Sequence, residues 1–235
     1  MMHDSRYQVH ERLPEVGPLG QQKLKESCIT IVGCGGLGNF CLQSLVAMGV
    51  GTIKIIDDDI IEVSNLQRQV LFKEEDIGKS KVVVAKKELQ SQNSEVSITT
   101  YIKRVTSKNS DEVLKKSDMI IDCTDNFTAR LVIDQYCSAH QIPLIYGGIR
   151  GFEGTISVFN YKGGKSLRET FENHEEIFQS ENCDDSGVMP QVVAMASNLQ
   201  VNEAVKIILE LPNVLKGKLQ VFNMLKNTFR VFNLQ

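Results

Sequence analysis

The run Gly33-Cys34-Gly35-Gly36-Leu37-Gly38 follows the apolar stretch Cys28 to Val32 and precedes an amphipathic run. That order predicts a strand, a glycine turn and a helix. The backbone of Gly33, Gly35, Gly36 and Gly38 can then approach a phosphate closely, and the free N–H groups of the helix face it. Asp57 lies nineteen residues beyond Gly38 and closes the apolar run Thr52 to Ile56, where a carboxylate reaches a ribose hydroxyl. Together these residues imply a bound nucleotide.

Further residues extend the pattern. Asp57-Asp58-Asp59 is followed by Ser64-Asn65-Leu66-Gln67-Arg68-Gln69, so Asn65 and Arg68 lie eight and eleven residues after Asp57. An amide and a planar guanidinium fork at that spacing can hold a polyphosphate, although the segment alone reads equally as a solvated turn. Lys81 opens a predicted helix, where a cation is locally unfavourable unless it reaches towards phosphate; a lone surface lysine is the plainer reading. Asp122-Cys123-Thr124-Asp125-Asn126 ends the apolar run Met119 to Ile121, and open parallel sheets bind ligands at strand carboxyl ends. Asp125 is placed there for a hard cation such as Mg²⁺ bridged to phosphate, unless Asp125 or Asn126 simply caps the next helix. Cys183 is the one cysteine in polar surroundings, Glu181-Asn182-Cys183-Asp184-Asp185, an accessible thiol that its acidic neighbours do not activate.

The elements that must position these residues alternate. Strand-like runs at 28–33, 52–57, 96–101, 118–122 and 143–148 are separated by helical patterns near 37–48, 79–91, 110–116 and 126–139. This predicts an α/β fold: a Rossmann-like, mostly parallel sheet with helices on both faces. Residues 1–27 read as a lead-in ending in a helix near 20–26. The nucleotide-binding core runs over 28–161, including a strand at 155–161. A polar segment without periodicity spans 162–189, and a stretch of that length is usually functional or mobile. A helix from about 191 to 211 and an antiparallel hairpin of 218–223 with 228–234 complete a single domain, 190–235 forming its C-terminal part.

The 235 residues carry a formal charge of −3, which argues against nucleic acid as a partner. No apolar run approaches the roughly 20 residues of a membrane span, and residues 1–6 lack the apolar core of a signal peptide. Five of the six cysteines, Cys28, Cys34, Cys41, Cys123 and Cys137, fall in apolar runs and read as reduced core thiols, which points to the cytoplasm.

The glycine motif alone would make a nicotinamide oxidoreductase the default. No hydride-transfer acid or base is evident, and that reading leaves Arg68, Lys81 and Asp125 unexplained. Taken together, the glycine run, Asp57-x-Asp59, Ser64 to Gln69, Lys81, Asp125-Asn126 with Arg130, and Cys183 through Gly187-Val188 resemble the ThiF/MoeB/HesA family, bacterial relatives of ubiquitin-activating enzymes. The resemblance covers nearly the whole chain. It implies a homodimer that binds ATP and Mg²⁺ and adenylates the C-terminal glycine of a ubiquitin-like sulfur carrier ending in Gly-Gly, with a sulfur-donor enzyme as a further partner. By the same resemblance Asp57 holds the ribose, with Asp59 and Gln69 beside the nucleotide. Arg68 and Lys81 steady the phosphates with Asn65, Asp125 with Asn126 positions Mg²⁺, and Cys183 is the crossover cysteine that can link covalently to the carrier.

Two departures stand out. The Cys-x-x-Cys pairs that hold a structural zinc in many members are absent, so no structural zinc is expected. The N-terminal arginine that members insert across the dimer towards the phosphates corresponds to Val9; Arg6 and Arg12 lie nearby, and Arg12, three residues on, shares its helical face. The missing cysteines and the lack of an appended rhodanese domain favour a carrier of thiamine thiazole synthesis over that of molybdopterin synthesis. A scaffold that binds the carrier without catalysis is the reading that Val9 leaves open.

Overall fold

The structure, a computed structural model, describes residues 6–171 and 187–234. Eight strands form one sheet: β1 (Cys28–Val32), β2 (Thr52–Ile56), β3 (Ser97–Tyr101), β4 (Met119–Asp122), β5 (Leu144–Arg150), β6 (Glu153–Phe159), β7 (Lys218–Asn223) and β8 (Thr228–Asn233). Their order is β3-β2-β1-β4-β5-β6-β7-β8; the first five pair in parallel and the last three antiparallel. The α/β reading, with its antiparallel C-terminal strands, holds.

Alternate residues of the buried strands serve two cores, because successive side chains leave opposite faces of a sheet. Ile55, Ile31, Ile121, Ile145 and Val158 are register partners in one row across the sheet. They pack under α3 (Gly36–Ala47), α4 (Lys81–Gln92) and the long C-terminal helix Pro190–Ile208. The row one residue on, Ile56, Val32, Asp122 and Tyr146, faces α5 (Ser110–Leu114) and α6 (Phe127–His140). Asp122 is the one charged member of that row.

Strand order reverses between β1 and β4, and the crevice above that point is where ligands of such sheets bind. The turn after β1 touches the loop after β4 there. A Cβ on Gly33 (φ +96) would fall 2.5 Å from the Cys123 carbonyl oxygen.

The lead-in contains two helices, α1 (Gln8–Glu11) and α2 (Gly17–Glu26). The first was too short to show periodicity. It is set by Tyr7, whose ring lies against Gly49 and whose hydroxyl accepts from Asn93 Nδ2 at 2.7 Å. β5 and β6 run further towards each other than the sequence pattern suggested and turn at Gly151, whose φ of +57° suits glycine. Within the polar segment, Ser166 caps the short helix α7 (Leu167–Thr170), and Asp134 on α6 accepts the Leu167 and Arg168 N–H groups. The long helix, α8 here, stops at Ile208 because Glu210 turns left-handed ahead of Pro212 and Glu203 accepts the returning Leu215 N–H. Among the described residues no helix is long and apolar enough to cross a membrane.

Candidate functional site

A cleft of about 550 Å³ opens at the carboxyl ends of β1, β2 and β4. The glycine turn forms its floor. Gly35 is the N-cap of α3 and offers no side-chain cap, so the first N–H groups of the helix remain open to a ligand. Gly36 has no room for a side chain, since a Cβ would meet Val193 at 3.0 Å and the Arg68 methylenes at 3.5 Å. Gly38 lies one turn into the helix and does not line the cleft; its missing Cβ makes space for the Gly33 carbonyl, which would otherwise sit 2.0 Å away.

Asp57 follows β2 and is held from both sides. Its Oδ2 accepts the Cys34 N–H at 2.6 Å and its Oδ1 accepts the Asp59 N–H at 2.8 Å. Burial nevertheless lifts its carboxyl above the ordinary carboxylate value, and these bonds and Lys81 only partly offset that. Asp59 pairs with the buried Lys81, Nζ to Oδ2 2.9 Å. Asp58 faces Arg104 at 3.5 Å. The three carboxylates lie within 4.8 Å of one another, but each is already met by N–H groups or a cation.

The wall opposite comes from residues 63–72. Asn65 Oδ1 accepts the Glu62 N–H at 3.1 Å and so turns the chain into a 3₁₀ helix at Val63–Asn65. Arg68 then folds over Gly36, with Nη1 donating to the Ser64 carbonyl at 3.1 Å. Gln69 is 2% exposed and its Oε1 has no hydrogen-bond partner among the described residues, although it lines the cleft. On the β4 side Asn126 caps α6 by accepting the Ala129 N–H at 3.0 Å. That leaves Asp125 exposed on the cleft rim, with no hydrogen bond or ion pair among the described residues.

The cleft therefore gathers Gly33, Gly35, Gly36, Asp57, Asp59, Asn65, Arg68, Gln69, Lys81, Asp125 and Asn126. Arg12 is exposed at the end of α1 and does not line it, and Val9 is 70% exposed. Cys183 lies outside the described residues. The cysteine inside the glycine turn, Cys34, is fully buried and its thiol is pushed up by burial, which makes it a packing group.

Two charged cleft residues were missed in sequence. Lys103 and Arg104 follow β3, the strand-end position that Asp57 and Asp125 occupy after β2 and β4, and that placement was the available signal. Asp122 is buried beneath the rim, where its Oδ1 accepts from Thr124 at 2.6 and 2.9 Å and its Oδ2 lies 3.6 Å from Arg130 Nε. Burial raises its carboxyl in spite of Arg130 and the two Thr124 donors. Arg130 in turn donates to the Thr124 carbonyl at 2.7 Å and lies over the Tyr146 ring, which ties the rim loop to α6.

The ThiF family pattern matches residues 7–235. The chain is 42% identical over 91% of its length to a probable molybdopterin-synthase adenylyltransferase of Porphyra purpurea, of which it spans 56%. It is 37% identical over 91% of its length to a sulfur carrier protein adenylyltransferase of Thermus thermophilus, of which it spans 81%. Among solved structures it resembles Escherichia coli MccB determined with ATP, at 26% identity and a TM-score of 0.85, covering 98% of this chain and 72% of that one. The match runs through every wall of the cleft and on past the last strand: the chain belongs to the ThiF family.

Proposed function

We propose that this chain transfers AMP from ATP to the C-terminal carboxylate of a ubiquitin-like sulfur carrier and releases pyrophosphate. The observation that carries this reading is the convergence of the uncapped α3 N-terminus, Arg68 and Lys81 on one cleft that also holds Asp57. The attacking carboxylate is ionised at neutral pH, so the reaction needs no general base. One carboxylate oxygen bonds to the α-phosphorus, the bond from that phosphorus to the bridging oxygen breaks, and pyrophosphate leaves with the electron pair. The difficulty is repulsion between two anions, which alignment and fixed positive charge reduce.

In this reading Asp57 receives the ribose hydroxyls, and Arg68 and Lys81 face the phosphates. Gln69 offers its unpaired Oε1 to a donor of the bound substrate. Mg²⁺ carried with the nucleotide neutralises phosphate charge, and Asp125, an oxygen donor without a partner among the described residues, fits a hard cation. The chain acts as a homodimer, with Arg12 of one protomer serving the other's phosphates in place of Val9. Cys183 can take the activated carrier in a covalent link and release AMP.

The missing zinc cysteines support a carrier of thiamine thiazole synthesis. The name of the algal relative favours the molybdopterin-synthase carrier as the second reading. ATP–pyrophosphate exchange with purified protein, run beside each carrier type, separates them: exchange that depends on one carrier identifies the pathway. ATP binding without exchange for either would mean a scaffold without catalysis.

A further inference from the structure

One buried side chain joins the floor of the cleft to one of its walls. Asn39 on α3 is 0% exposed; its Nδ2 donates to the carbonyls of Cys34 and Gly35, both at 2.9 Å, and its Oδ1 accepts the Leu71 N–H at 2.9 Å. The glycine turn hangs from the amino end of this amide, and the segment carrying Arg68 and Gln69 from the carbonyl end. Because the Cys34 N–H donates to Asp57, residue Cys34 is held on one side by Asp57 and on the other by the Asn39 amide, which also holds Leu71. The bonds from Arg68 and Gln69 N–H to the Asn65 carbonyl shape the segment internally. Apolar packing of Leu71 and Phe72 holds it down without fixing a polar register.

We propose that Asn39 is a positioning residue for the nucleotide: it sets the distance between the α3 N-terminus and Arg68, so that both reach the same phosphates. This rests on the adenylation reading. Only a carboxamide carries two donors on its nitrogen and an acceptor on its oxygen, both on one carbon. A serine hydroxyl supplies one donor, and an aspartate supplies none when ionised.

Two variants test it. Asn39→Ala removes all three bonds. Asn39→Ser can bond back to the carbonyl four residues earlier, Gly35, but not to Cys34 as well, and it is too short to reach Leu71, so it keeps one turn bond and loses the wall side. Each is checked for one cooperative thermal transition, and the serine variant carries the test where the alanine variant does not fold. Leu71 amide exchange should quicken, and the dissociation constant for ATP·Mg²⁺ should rise by about tenfold or more, as small misplacements of binding groups do. In a double-mutant cycle with Arg68→Ala the two losses should be less than additive, because Asn39 acts through the Arg68 wall. A merely structural role would leave them additive. Unchanged Leu71 exchange, wild-type ATP affinity in a folded variant, or additive losses would each overturn the inference. Wild-type protein that does not bind ATP·Mg²⁺ would remove the adenylation reading and this inference with it, whereas a wild-type protein and a folded Asn39→Ser that bind equally would remove the brace alone.

Discussion

Lys81 holds its ammonium 2.9 Å from Asp59 Oδ2, with the lysine side chain 7% exposed and the aspartate 56%. The stem of the lysine is sealed in the core side of α4 while its partner stands in the cleft. Bound phosphate would take over Asp59's place at the ammonium, so the residue's structural and ligand-binding roles can be separated. Lys81→Met keeps the apolar stem and leaves Asp59 to water. Stability should change by less than about 1 kcal/mol, because replacing one side of such a pair with an apolar isostere costs little when the other ion can be solvated. kcat/KM for pyrophosphate exchange should fall by about 10²-fold, the usual effect of removing one fixed stabilising donor. Thermal melts beside exchange kinetics check both.

The glycines of the turn should divide in two. Gly35→Ala has room, its nearest neighbour being Gln69 Nε2 at 3.7 Å, and its φ is negative. The added methyl faces the cleft, so ATP affinity should fall while the melting temperature holds. Gly38→Ala would drive a methyl into the Gly33 carbonyl and should destabilise by about 1–3 kcal/mol or more. Equal stability losses for the two would contradict this geometry.

Asp57 supplies a pH dependence of known sign. Burial lifts its carboxyl above the ordinary 3.8, so the folded protein holds this proton more tightly than the unfolded chain does. The stability term is fully present below pH 3.8 and is lost as the pH rises through the raised folded value. If Asp57 receives the ribose as proposed, binding uses the ionised acceptor, so ATP affinity should move the other way and strengthen across the same window. Titration from about pH 4 to 7 should show that slope in wild type beyond whatever remains in Asp57→Asn. Superimposable profiles would take Asp57 away from the nucleotide.

Arg12 stands on the outside of its own protomer, so any service to the phosphates has to be given to a partner. Arg12→Ala and Arg68→Ala should each lower exchange by about 10²-fold or more. Mixing the two inactive variants should restore part of the activity, since one of the two sites in a mixed dimer keeps both arginines. Mixing without recovery would return the role of the inserted arginine to Arg6 or to neither.

Zinc should be absent from purified protein in stoichiometric amount, and a chelator should leave the melting temperature unchanged. Cys34, Cys41, Cys123 and Cys137 are buried thiols in the core, and the one three-donor cluster among the described residues is the oxygen set Asp57, Asp58 and Asp59. One zinc per chain by metal analysis would refute the expectation.

Much of the cleft was legible from residue order. A glycine run after an apolar strand, an aspartate closing the next strand and an Asp-Asn pair closing another lie at chain positions that local geometry and parallel pairing send to one edge of the sheet. Asn65, Arg68 and Lys81 were marked by the family resemblance, since alone they read as well as a solvated turn and a surface lysine. What the order of residues could not supply was which polar groups are buried together and who answers whom. Asp122 meets Arg130 inside an apolar row, Lys81 takes Asp59 from 22 residues away, and Asn39 reaches Leu71 from another element. Those partnerships exist because a group removed from water must find a partner wherever the packed chain places one. Periodicity along the chain reports which face is apolar, so the strands and helices were within reach of the sequence. The choice of partner depends on distances across the fold, and tertiary structure alone decided it.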